Sequence, residues 1–154
     1  MNRFHDIRPA CENDIFFIHA LEMDPANIFV HSWDEATHHA NLLDPKHHYF
    51  IAEDIEKTSL GYAILIEDEA GSIEWKRIIV ARRGNGIGSS FMEAILRHFS
   101  HKNKTRKIWL DVYAQNDRAR HVYQNLGFVE TGEDLKKVPG ERLVIMEYHQ
   151  PRLT

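Results

Sequence analysis

Residues 72–100 read SIEWKRIIVARRGNGIGSSFMEAILRHFS. A strand pattern, Ser72 to Val80, runs into the glycine-rich turn Arg83-Gly84-Asn85-Gly86-Ile87-Gly88. The turn opens a segment in which Ile87, Phe91, Ile95 and Phe99 recur at helical spacing. Three glycines in five positions let the backbone take positive φ and aim its N–H groups at one point. The helix behind them adds free N-terminal amides and the positive end of its dipole. That geometry suits a phosphate. It is not a Walker loop, because no Gly-Lys-Ser/Thr follows. As a dinucleotide fingerprint it fails, since Gly88 arrives one residue early for G-x-G-x-x-G and the preceding strands look antiparallel. At this level a glycine turn with no ligand stays open as the plainer reading.

Outward from this junction the chain reads as one mixed α/β unit, residues 1–154. Upstream lie strand patterns at Phe4–Arg8, Tyr49–Ala52 and Leu60–Ile66, the last two and Ser72–Val80 joined by short polar turns as in an antiparallel meander. Two helices precede the meander. Asn13 or Asp14 can cap the first, with Ile15, Ile18 and Leu21 on one face. Ser32 and Glu35 form a capping box for the second. Downstream, Ile108, Leu110 and Val112 alternate with polar and aromatic residues. Asn116-Asp117 caps a helix carrying Ala119, Val122, Tyr123 and Leu126, and Gly127 stands where a left-handed cap is needed. Phe128–Thr131 and Leu143–Tyr148 close the chain as a hairpin around Pro139-Gly140, a candidate dimer element.

Composition narrows the function classes. The net charge is −4, which argues against a nucleic-acid partner. No apolar run approaches the roughly 20 residues of a membrane span, and the N-terminus has no signal-peptide stretch. With the single cysteine, Cys11, these features lead us to expect a cytoplasmic protein without internal disulfides. Cys11 itself reads as a small buried hydrophobe. The doublets His38-His39 and His47-His48 match no zinc spacing and read as surface histidines, so no metal is expected.

Arg83-x-x-Gly86-x-Gly88 at a strand–helix junction resembles the acetyl-CoA pyrophosphate loop of the GNAT superfamily of N-acetyltransferases. That family's second signature is matched by Asn116, Ala119, Tyr123 and Gly127-Phe128. The two motifs span Glu74 to Phe128; the loop from Val80 to Arg83 is shorter than in many members. The resemblance implies a mostly antiparallel sheet of about six or seven strands, with helices on both faces and a splayed central pair. It also implies acetyl-CoA as cosubstrate and an amine as acceptor, either a small molecule or a protein N-terminus.

It further implies roles, which the chemistry can accommodate. The amides of Arg83, Gly84, Asn85, Gly86, Ile87, Gly88 and Ser89 would hold the pyrophosphate. Ile78, Ile79 and Val80 would pair with pantetheine, with a backbone N–H near Ile79 or Val80 stabilising the oxyanion. Asn116 would bond the cofactor from the opposite wall while capping its helix. Glu74 would remove the ammonium proton, directly or through water, and Tyr123 would protonate the departing thiolate. The plainer roles are a solvated strand glutamate for Glu74 and a core aromatic for Tyr123. Acceptor recognition would fall to the N-terminal helices, where Phe29 and Trp33, with nearby acidic residues, could receive a cationic amine. Their plainer role is core packing. A non-catalytic acyl-CoA-binding module of the same fold, or another nucleotide-phosphate binder sharing the loop, is the competing class.

Overall fold

A computed structural model of the chain describes residues 3–27, 32–82, 86–100 and 107–148. Seven strands form one sheet in the order β1-β2-β3-β4-β5-β7-β6. They are β1 (Asp6–Pro9), β2 (His47–Glu53), β3 (Ser59–Glu67), β4 (Ile73–Val80), β5 (Ile108–Tyr113), β6 (Val129–Asp134) and β7 (Leu143–Tyr148). All neighbours are antiparallel except β4 and β5. Among the described residues four α-helices pack on the sheet: α1 (Ile15–Met23), α2 (Glu35–Leu42), α3 (Ile87–Ser100) and α4 (Asp117–Leu126).

Strand alternation divides the core. Tyr49, Ile51, Tyr62 and Ile64 face α1, meeting Ile18 and Leu21. Phe50, Ala52, Ala63 and Leu65 face the other way, where α3 lays down Ile87, Phe91, Met92, Ile95 and Phe99 and α4 adds Ala119, Tyr123 and Leu126. In β4 the parity changes midway. Leu65 stands opposite Trp75 but Ile64 stands opposite Arg77, so Lys76 is a bulge. Ile73 and Trp75 belong to the α3 side, whereas Ile79 belongs to the α1 side. The bulge therefore re-aims Arg77 toward α1. The parallel pairing of β4 and β5 ends after Ile73↔Ile108 and Glu74↔Trp109, so from there the two strands diverge. The splayed pair that the family resemblance implies is present.

β3 and β4 are pressed together on the opposite seam. A Cβ at Gly61 would lie 2.5 Å from the Ile79 carbonyl oxygen and 3.0 Å from the Val80 Cα. Both are backbone atoms, so β4 would have to move. Gly61→Ala is expected to destabilise the fold by about 1–3 kcal/mol, read as a lower denaturant midpoint.

Local caps depart from the sequence reading in two places. Asp34, not Ser32, caps α2, accepting from Thr37 N at 2.8 Å. Asp14 does not cap α1 with its side chain: a short 3-10 turn, Glu12–Asp14, precedes the helix. The Asp14 carboxylate instead takes Cys11 N at 2.8 Å and both Arg8 terminal nitrogens. A charged, bidentate donor outcompetes a cap. Cys11 is exposed rather than buried, because that turn lies outside the packed face of α1. Gly127 does end α4 in the left-handed region, at φ 108°.

Candidate active site

The divergence of β4 and β5 opens a cleft of about 670 Å³ that passes from the α3–α4 side of the sheet to the α1–α2 side. Ala81 N–H donates to the Leu60 carbonyl across the β3–β4 seam at 2.8 Å. Alternation then turns the N–H and C=O of Ile78 and Val80 to the opposite edge, where β5 has departed. Ile78, Ile79 and Val80 all line the cleft. An unpaired strand edge facing a cleft needs a polar partner, and an extended amide chain supplies one.

At one end Gly86, Ile87, Gly88 and Ser89 line the wall. Gly86 has φ 70°, and among the described residues nothing lies within 4 Å of a Cβ built at Gly86 or Gly88. Ser90 N–H is satisfied by the Gly86 carbonyl at 3.1 Å, and the amides ahead of it are those that a helix N-terminus leaves without an intrahelical acceptor. Arg82 and Arg118 stand beside them in the lining. This donor set fits a diphosphate. Arg83, Gly84 and Asn85, expected in the same loop, lie outside the described residues. Across the cleft Asn116 caps α4, its Oδ1 accepting from Ala119 N at 3.3 Å, and also lines the wall.

Tyr123 lies half-buried on the α4 wall, and its ring packs against Phe128. Desolvation, then the nearby Asp111 carboxylate, pushes its phenol up to about 12. Among the described residues no side chain or backbone group bonds its hydroxyl. Glu74 is placed differently. It does not line the cleft; its carboxylate sits 3.9 Å from both Lys76 Nζ and Lys137 Nζ. Those two lysines do line the cleft, as does Asp111, which Lys137 grips at 2.6 Å. Desolvation is the largest influence on Lys76 and lowers it, with Lys137 adding to the effect. The structure thus brings Tyr123, Asn116 and the α3 amides into one cavity and leaves Glu74 one charge layer behind its wall.

The α1–α2 end holds a feature that sequence reasoning missed. Glu22 is fully buried and its carboxylate is saturated. Oε1 accepts from His38 Nε2 at 2.9 Å and Trp33 N at 3.0 Å. Oε2 accepts from Tyr62 at 2.5 Å and Arg77 Nη1 at 2.6 Å. Burial alone would raise this carboxyl; the bonds from His38 and Tyr62, with the Arg77 charge, outweigh it and hold it at about 2. His38 is therefore a core group, correcting its reading as a surface histidine; its Nδ1 meets the Tyr49 hydroxyl at 2.7 Å. His39, His47 and His48 face single carboxylates, and among the described residues no three ligating side chains converge. The one hint was a glutamate inside the apolar helix IFFIHALEM. Trp33 lines the cleft under the Arg77 guanidinium, 4.1 Å from ring centroid to Cζ. Phe29 lies outside the described residues.

The profile of the acetyltransferase (GNAT) family matches residues 13–128. The chain belongs to the GNAT acetyltransferase family. It is an acetyl-CoA-dependent N-acetyltransferase. The acetyltransferase is 29% identical over 144 residues to the spermidine N(1)-acetyltransferase of Vibrio cholerae, covering 86% of this chain and 83% of that protein. It superposes on the crystal structure of spermidine N-acetyltransferase from Vibrio cholerae in complex with CoA and spermine with TM-score 0.81, at 26% identity over 94% of both chains. The dodecameric structure of that enzyme in an intermediate state matches at TM-score 0.78, at 26% identity, covering 94% of this chain and 92% of the other. In the acetyltransferase no helix of the described residues is long and apolar enough to cross a membrane.

Proposed function

We propose that the acetyltransferase moves the acetyl group of acetyl-CoA to a primary amine by direct attack inside the β4–β5 cleft. One observation supports the reading above others: an opened strand edge, the amides of a helix N-terminus and a phenol share a single cavity. The α3 amides, with Arg82 and Arg118, hold the diphosphate. Ile78 and Val80 pair with the pantetheine amides, and the Val80 N–H is the nearer choice than Ile79 for the oxyanion, because Ile79 turns its N–H toward β3. The amine nitrogen bonds the thioester carbon as the C–S bond breaks. Tyr123 gives its proton to the sulfur and regains one, through water, from the nitrogen that has bonded the carbon. The ammonium proton leaves through water to the carboxylates of the Glu74–Lys137–Asp111 cluster, so Glu74 acts at one remove. The relatives named for spermidine and spermine favour a polyamine as acceptor.

The test follows thiol release from acetyl-CoA with a panel of primary amines, alongside CoA titration by calorimetry. Turnover with CoA binding is expected; tight CoA binding with no transfer to any amine would return the protein to a non-catalytic module. Glu74→Gln is expected to lower kcat while CoA affinity holds. An unchanged kcat removes Glu74 from the proton route.

A further inference from the structure

Where the cleft opens on the side of the sheet away from the α3 amides, it already holds an ammonium. Leu110 and Val112 point into the α3-side core, so Asp111 between them projects to the opposite face. Glu74, between Ile73 and Trp75, does the same. Lys137 Nζ meets both carboxylates, 2.6 Å from Asp111 and 3.9 Å from Glu74. Asp111 is the one carboxylate lining the cleft among the described residues, and the residues outside them contain no Asp or Glu. Burial opposes the charge on Lys137; the bond and charge of Asp111, with the charge of Glu74, outweigh it and raise the amine. The position therefore favours a cation, yet its occupant is loosely held. Lys137 comes from the loop between β6 and β7, in which residues 135–137, 139 and 140 are exposed, and its side chain keeps 35% of its surface in water.

We propose that Lys137 is a built-in stand-in for substrate: a second ammonium of the acceptor displaces it from Asp111, which makes Asp111 the residue that selects diamines and polyamines over monoamines. This rests on the transfer reaction proposed above. The exchange replaces one ammonium by another, so the charge around Asp111, Glu74 and Lys76 is unchanged while the flexible Lys137 stem swings into water. Competition for one carboxylate raises the apparent KM by the inverse of the fraction of time that it is vacant. If Lys137 fills it about nine-tenths of the time, the factor is about ten.

Hexylamine, 1,6-diaminohexane and spermidine test it at saturating acetyl-CoA in the wild type, Lys137→Met, Asp111→Asn and the double variant. The readout is kcat/KM for the diamine or spermidine divided by that for hexylamine, a ratio in which any share of either residue in the proton route cancels. Lys137→Met, which keeps the length of the stem, is expected to raise the ratio about tenfold through KM, and Asp111→Asn to lower it about tenfold. The double variant should match Asp111→Asn, because Lys137 acts only by filling Asp111. A ratio that either single variant leaves unchanged or moves the other way overturns the inference. So does a gain from Lys137→Met that survives in the Asp111→Asn background, which is plain like-charge repulsion. Wild-type transfer to hexylamine but to neither of the others overturns it as well. All three results leave the transfer reaction intact. No transfer to any of the amines, with CoA still binding, overturns both.

Discussion

Glu22→Ala is expected to lower the unfolding free energy by roughly 3–5 kcal/mol, the largest stability loss of any single change in the α1 core. The mechanism is not the loss of a favourable ion pair as such. Removing the carboxylate leaves the Arg77 guanidinium and the Tyr62 hydroxyl in a site built around a negative charge, with Arg77 only 8% exposed. It also strips a partner from His38, whose side chain is fully buried, and from Trp33 N–H. For a chain of this size the loss corresponds to a fall in melting temperature of roughly 10 °C. A fall of less than about 1 kcal/mol would mean that Arg77 escapes to solvent and that the network is not a core element. The wild type carries the matching acid sensitivity. The carboxyl is depressed from 4.5 to about 2, so its contribution is whole above pH 4.5 and drains away as pH falls through about 2. In Glu22→Ala that part of the acid transition should be absent.

How much of this was legible beforehand depends on the range of the interaction. The glycine turn into α3, the Asn116 cap and the left-handed Gly127 are set by neighbours within a turn of the chain, and the β2-β3-β4 and β6-β7 neighbours followed from the turns between them, whereas the places of β1 and β5 did not. The cap of α1 was misplaced because Arg8, six residues upstream on β1, draws the Asp14 carboxylate away from its own helix, and that of α2 falls two residues after Ser32, on Asp34. The Glu22 network joins positions 22, 33, 38, 62 and 77 from two helices, a connecting segment and two strands. Only the Lys76 bulge brings Arg77 onto the correct face, and a bulge leaves no trace in hydrophobic alternation. Glu74 shows the same limit. Its motif spacing places it on β4 before the divergence, yet which side of the wall its carboxylate takes depends on Lys137, from the loop after β6.

Tyr123→Phe should reduce kcat about a hundredfold, near 2.7 kcal/mol of transition-state stabilisation, while the affinity for CoA changes by less than about twofold. The lower end of the range for general acids is the right one here. A phenol pushed up to about 12 by desolvation and by Asp111 is a weaker acid than a free one. A thiolate with pKa near 8.5 is less basic than the tyrosinate that full transfer would leave, so donation is uphill by roughly three units and most of the benefit comes from the hydrogen bond to the developing charge. The raised value has a second consequence. The proton stays on the oxygen until pH approaches about 12, so no alkaline limb from this group should cross the profile of kcat below about pH 11. Replacing the hydroxyl by hydrogen keeps the ring against Phe128 and the α4 cap in place, which separates the chemical loss from a packing loss. Single-turnover rates with acetyl-CoA and saturating amine, read beside CoA calorimetry, decide the matter. A variant that keeps kcat within threefold would take the proton donor away from α4 and hand the leaving thiolate to solvent.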